Sequence, residues 1–262
     1  DYIMRRPAQY RQFAGSGVFQ ASQKELAIYL QDEWRPVAGL TINAGFRYEM
    51  TLNPDLLPFT SPQSVAKQVT DIPDDKEQYG PRIGLAWDIG SKGKTVVRVG
   101  SGLFYARTPL LLFNQAITNT GGNLDVGFSV TLGSFAQIND AFRRAGIDLS
   151  TAPLGNLPVF SDTQFRQLFS GPNGALQVSF FDSEFQNPRS VQFNAAIDHQ
   201  IAPGIVAGVD FAYINTTRLE RLLDVNLSTP VIDQTGRRIY SNPRPDPRFS
   251  LVRSQQSSSR SL

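Results

Sequence analysis

The sequence contains no cysteine and a single histidine. Without cysteine there is no disulfide framework, no thiolate metal site and no cysteine nucleophile. One histidine removes sites built on two imidazoles and disfavours histidine-based catalysis. Charge is also scarce. Charged residues make up 18% of the chain, below the ~25% of ordinary soluble domains. Lys+Arg number 25 against Asp+Glu 23, a net charge of +2, which argues against a strongly basic nucleic-acid binder and against charge-driven disorder. No window holds the ~20 consecutive apolar residues of a membrane-spanning helix. The chain opens Asp1-Tyr2-Ile3-Met4-Arg5-Arg6-Pro7, which has no leader-peptide pattern. Both ends read as cut, so a piece of a longer protein is expected.

Glycine (21), proline (17) and phenylalanine (18) are plentiful, which suits strands and turns better than long helices. Several segments alternate apolar and polar residues with the period of a strand. In Leu40–Glu49 one face reads Leu40, Ile42, Ala44, Phe46, Tyr48 and the other Thr41, Asn43, Gly45, Arg47, Glu49. Pro188–Ile201 and Ile205–Tyr213 alternate in the same way, as do the stretches around Ile83–Ile89 and Thr95–Tyr105. Leu26–Trp34 is less regular because Asp32 interrupts its apolar face. The runs are roughly 9–13 residues long, beyond the usual soluble strand and close to a tilted membrane-crossing one.

Connections alternate in length. Short ones are expected at Pro36–Gly39, Gly90–Lys94 and Ala202–Gly204, and long ones at Asn53–Gln78, at Thr108–Asn187 and after Thr216. Short turns on one side and long loops on the other are the layout of an outer-membrane barrel, and Trp34, Tyr48, Trp87, Tyr105 and Tyr213 fall near strand ends, where aromatic girdles form. The expected fold is therefore all-β: part of an antiparallel up-and-down transmembrane β-barrel with long extracellular loops, one domain over 1–262. The insertion at about 108–187 is expected to carry short helices at Ser134–Ala145 and Asp162–Phe169, because apolar residues recur there at helical spacing and Asp162 can cap.

The same segments carry a resemblance. Tyr29-Leu30-Gln31-Asp32-Glu33-Trp34-Arg35-Pro36 followed by Leu40-Thr41-Ile42-Asn43-Ala44-Gly45-Phe46-Arg47-Tyr48-Glu49 resembles the barrel hairpin of TonB-dependent outer-membrane receptors. Gly80–Asp88 looks like their PRxGxAxD strand, and Gly93–Tyr105 is similar to their GKTxxRxGYGxFY strand. Gln192-Phe193-Asn194 with Gly208–Tyr213 resembles a later hairpin. The likeness covers Lys24–Arg107 and Pro188–Arg253, is weak across Thr108–Asn187, and is nearest to the subgroup with an N-terminal carboxypeptidase-regulatory-like domain. It implies a bacterial outer-membrane location and a wall section from a plugged barrel of about 22 strands. It also implies uptake of a small ligand (a metal chelate, glycan or peptide). The implied partners are outer-membrane lipids and the TonB system, reached through an N-terminal region. The plug domain and TonB box of that family are not read in this chain. Neither cofactor, nor metal, nor nucleic acid, nor enzymatic activity is implied.

Candidate ligand-binding or plug-facing residues are the inward polar ones: Asn43, Arg47, Glu49, Arg82, Arg98, Gln192, Asn194 and Asp210. Arg forks match carboxylates and phosphates. The blander reading is an internal ion-pair ladder of Arg47, Arg82 and Arg98 with Glu49, Asp88 and Asp210. Phe135, Phe142, Phe165 and Phe169 are candidate loop contacts. His199 lies on an apolar face beside a turn and reads as interfacial. Gly100-Ser101-Gly102 lies inside a strand, so curvature or close packing explains it better than a phosphate loop. Asp71–Glu77 is acidic but lacks a calcium-loop order. Asn215-Thr216-Thr217 and Asn226-Leu227-Ser228 match the glycosylation pattern by accident for a bacterial source, and Arg237-Arg238 with Asn242–Pro247 reads as loop. Two rival readings remain: a structural or adhesive outer-membrane barrel protein, and a soluble β-barrel carrier with an apolar interior.

Overall fold

A computed structural model describes residues 4, 6–16, 18, 20–59, 66–120, 128–152, 158–169, 176–240 and 244–261. The chain runs through β1 (Tyr10–Ala14), β2 (Lys24–Val37), β3 (Leu40–Leu52), β4 (Asp75–Asp88) and β5 (Thr95–Tyr105). Then come α1 (Leu110–Thr118), β6 (Phe128–Leu132), α2 (Phe135–Arg144), α3 (Asp162–Phe169) and β7 (Leu176–Phe181). It closes with β8 (Arg189–Ala202), β9 (Ile205–Asp224), β10 (Val231–Ile232), β11 (Arg238–Ile239) and β12 (Phe249–Ser261).

One open ten-stranded sheet has the order β1-β6-β7-β12-β9-β8-β5-β4-β3-β2. From β12 to β2 every neighbouring pair is antiparallel. This is the wall. Its connections at one end are short. Gly39 and Gly204 turn the chain at φ 79° and 80°, a region that costs glycine little. At Gly39 a Cβ would also come within 2.6 Å of the Asp88 carbonyl. The wall strands are long enough for a crossing, and β9, with 20 residues, carries the wall well past it. It bends at Arg218, whose φ is 61° and which falls at a register shift against β12, as a bulge does.

Pairing register carries one face across the whole wall. Leu30 meets Phe46, Trp34 meets Ile42, Leu40 meets Trp87 and Tyr48 meets Tyr79. Val97 meets Ile197, which meets Val209, and Phe193 meets Tyr213. These side chains are unburied: Leu30 is 78% exposed and Val209 70%. Trp34 and Trp87 lie towards the turn end, while Tyr48, Tyr79 and Tyr213 lie towards the loop end, so the apolar band has an aromatic border on both sides. Asp32 stands on this face opposite Ala44, one pleat inside Trp34, where a carboxylate is near enough to the interface to be tolerated.

The buried core lies elsewhere. Phe142, Phe160, Phe165, Phe169, Val130, Val178, Phe249 and Val252 form the centre of one cluster, and Phe113, Ile117, Phe181 and Phe185 of a second. Strands β2, β3, β4, β5, β8 and β9 contribute nothing to either. The expected long loop is thus a folded cap. The two expected helices are α2 and α3. Ser134 caps α2 by accepting from the Gln137 amide, the usual device for an orphan N–H. Helix α1, strands β1, β6 and β7, and the strand nature of Phe249–Ser261 were not legible in the pattern. The cap joins the wall through β7 and β12, which pair in parallel, a departure from the expected up-and-down order.

The two ends of the insertion are clasped. Thr108 Oγ1 donates to Asn187 Oδ1 at 2.7 Å, and the Asn187 backbone N–H donates to Asp75 Oδ2 at 2.8 Å. Gln78 Nε2 and Asn187 Nδ2 both donate to Thr51 Oγ1, at 3.0 and 3.3 Å. All five residues are buried. A second clasp holds the loop between β9 and β12. Asn226 Nδ2 donates to the Asp246 and Phe249 carbonyls at 2.9 and 3.0 Å, and Arg244 pairs with Asp224 at 2.6 Å. The Arg248 guanidinium, hydrogen-bonded to Asp246, holds that carboxyl below its usual range.

Asn187→Ala strips Thr108 of its buried acceptor, while Thr51 keeps Gln78 as a donor. The substitution is expected to lower unfolding stability by about 1–3 kcal/mol for the orphaned group, read by denaturant titration in detergent. The depressed Asp246 favours the folded state above the unfolded carboxyl pKa of about 4 and loses that contribution as pH falls through its own lower value. The stability gap between wild type and Asp246→Asn should therefore shrink below about pH 4 and stay constant at neutral pH, measured as thermal midpoints.

Candidate functional site

The wall's other face is polar, and its register sets glycines beside polar side chains. One row across the strands reads Gln31, Gly45, Arg82, Gly102, Gln192. The next reads Glu33, Asn43, Gly84, Gly100, Asn194. In the first row glycines alternate with long polar side chains, and in the second Gly84 and Gly100 stand side by side between Asn43 and Asn194, so a polar side chain can lie over the bare backbone next to it. A Cβ on Gly100 would meet Asn194 Oδ1 at 2.5 Å, and one on Gly102 would meet Arg82 Cγ at 3.0 Å and Phe104 Cε2 at 3.1 Å. The Arg82 guanidinium lies over the Phe104 ring, 4.5 Å from its centroid, in cation–π geometry. The result is a shallow trough of about 250 Å³.

Of the residues picked out from the sequence, Asn43, Arg82, Gln192 and Asn194 meet in this trough. Arg47 lies beside it with Arg82 and pairs with Glu49 at 2.7 Å. The rest of the expected ladder is rewired. Arg98 pairs with Asp198, not with Asp88 or Asp210. The Asp88 carboxylate is spent in the turn, accepting from the Gly93 amide at 2.8 and 3.0 Å. Asp210 is exposed opposite Ala196, away from the trough. Gln31 and Phe104 were missed. Their signal was parity alone, since both share the inward face with Arg47 and Arg82. Gly100 and Gly102, read as serving curvature or close packing, line the trough.

Three of the four phenylalanines expected as loop contacts need correction. Phe142, Phe165 and Phe169 are at most 1% exposed. Phe142 stacks on Phe160 at 4.2 Å, and Phe165 meets Phe169 edge-on at 5.1 Å. They are the cap's core, placed there because helical spacing marks the buried side of a short helix as readily as a binding side. Phe135 is half-buried, with the Arg6 guanidinium over its ring at 5.8 Å. His199 lies on the outer face, a ring nitrogen 2.8 Å from the Thr95 hydroxyl. In the acidic segment, Asp74 pairs with Lys76 at 3.0 Å, and among the described residues no cluster of three or more metal-holding side chains exists. Residues 241–243, part of the proline-rich stretch, lie outside the described residues.

An apolar band bordered by aromatics, with a polar face behind it, fits a wall between lipid and a wet interior. The sequence matches the family described as outer membrane beta barrel domain over residues 1–261. The chain belongs to that family. The barrel domain resides in the bacterial outer membrane. No curated protein matches it. Among solved structures it is similar to the siderophore receptor PirA from Pseudomonas aeruginosa, at 10% identity and a TM-score of 0.41, over 91% of this chain and 29% of that one. The barrel domain thus spans under a third of that receptor's length. A soluble carrier with an apolar interior is set aside, because this wall turns its apolar face away from the protein.

Two glycine substitutions test the trough geometry. Gly102→Ala forces Arg82, Phe104 and the Pro81 carbonyl apart and should cost about 1–3 kcal/mol, as overpacking does. Gly84→Ala meets its nearest atoms at 3.9 and 4.0 Å and should be close to neutral. Denaturant midpoints of the two variants should separate in that order.

Proposed function

We propose that this barrel domain is part of the wall of a TonB-dependent receptor that takes up a small ligand across the outer membrane and performs no covalent chemistry. The reading is carried by the inward trough, which places Asn43, Arg82, Gln192 and Asn194 together on the face away from lipid. A wall with a purely structural role has no need of a row of glycines that keeps polar side chains flat and a depression open. The motif series from Tyr29 to Tyr213 supports the same reading. The cap, tied to the wall through β7 and β12, covers the loop end, where an external ligand arrives. In this scheme the polar face contacts the ligand or a plug, and TonB supplies the energy for plug movement.

The test is genetic. A strain lacking the full-length gene is grown on a panel of iron chelates, glycans and peptides as sole sources. Growth on at least one should fail, return on complementation, and fail again when the membrane is de-energised by a protonophore. Equal growth of mutant and parent on every source would overturn uptake and leave the structural or adhesive reading.

A further inference from the structure

The three candidate arginines of the polar face are not equivalent. Arg47 is neutralised by Glu49 and Arg98 by Asp198. Arg82 has no ion-pair partner among the described residues. Its neighbours in the trough are the carboxamides of Gln31, Asn43, Gln192 and Asn194 and the glycine backbone. The acid in the adjoining row, Glu33, is engaged with Arg35 at 2.7 Å. The trough therefore holds one uncompensated cation ringed by groups that both donate and accept. The guanidinium carbon lies 4.5 Å from the Phe104 ring centroid, and no hydrogen bond within the described residues engages its N–H groups, which can take a carboxylate in a two-pronged bond.

We propose that this trough binds a carboxylate carried on an amide-bearing, peptide-like ligand, with Arg82 as the anion anchor and the four carboxamides as partners for peptide groups. The proposal rests on the uptake reading for its purpose and narrows its ligand class. A neutral glycan would satisfy the carboxamides but leave Arg82 unpaired. A bare oxyanion would satisfy Arg82 but gain nothing from the carboxamides.

The protein purified from the outer membrane in detergent is titrated calorimetrically with four probes: N-acetylglutamate, its uncharged diamide counterpart, maltotriose and inorganic phosphate. N-acetylglutamate should bind with Kd on the order of 1 mM, as its size allows, and at least about tenfold more tightly than the other three, the worth of a charged hydrogen bond. Arg82→Gln should abolish that preference, Arg82→Lys should keep part of it, and Arg144→Gln, in α2 of the cap, should leave it unchanged. Thermal midpoints check that each variant is folded. The proposal is overturned if no probe saturates, if the diamide, maltotriose or phosphate binds as tightly, or if Arg82→Gln leaves the preference intact. Failure here leaves the growth test untouched. Probe binding with no growth defect would retain the site and remove uptake.

Discussion

The outward face of the wall has no protein to pack against, and the rest of the structure follows from that. Leaving a large apolar side chain in water forfeits about 1.5–3 kcal/mol, and the wall exposes a continuous band of them from Leu26 to Tyr213. Lipid is the phase that resolves this. In lipid every backbone N–H and C=O must be paired within the protein, and the antiparallel ladder from β12 to β2 does so for its interior strands. The polar face is then released from any duty to form a core. That release is why it can carry glycine and carboxamides where a soluble sandwich would carry valine and leucine.

The cap obeys the opposite rule. It lies outside the apolar band and must supply its own core, which it does with stacked phenylalanines and the loop ends of β7 and β12. The two regimes meet at the polar clasp of Thr51, Asp75, Gln78, Thr108 and Asn187. Here a long insertion leaves the wall and returns to it, so the strand ends need partners that lie neither in lipid nor in the cap core. Buried side-chain hydrogen bonds fill that gap.

The trough shows how side-chain size is set by neighbours across strands. Asn194 lies over Gly100 because nothing larger fits beneath it, and Arg82 lies between Gly102 and Phe104 for the same reason. Of the three candidate arginines on this face, two find carboxylates within the wall. The third is held by an aromatic ring in place of a carboxylate, which keeps its charge available.

The sequence by itself determined the wall. Alternation in Leu40–Glu49 or Pro188–Ile201 specifies a strand and also which residues face lipid, because the pleat sends successive side chains to opposite sides whatever the neighbouring strand is. The short turns at Gly39 and Gly204 were legible for the same local reason. What only the tertiary structure decided depends on which segments become neighbours. Ser254–Ser261 is polar and a poor strand former on its own, yet β9 beside it and β7 at its first two residues pair its backbone, and those ladders outweigh propensity. Arg98 took Asp198 over Asp88 or Asp210 because β8 adjoins β5 in that register. Phe142, Phe165 and Phe169 went inward because three distant segments close around them. Periodicity fixes a side chain's direction, but only the assembled neighbours decide whether it meets lipid, water, a core or a ligand.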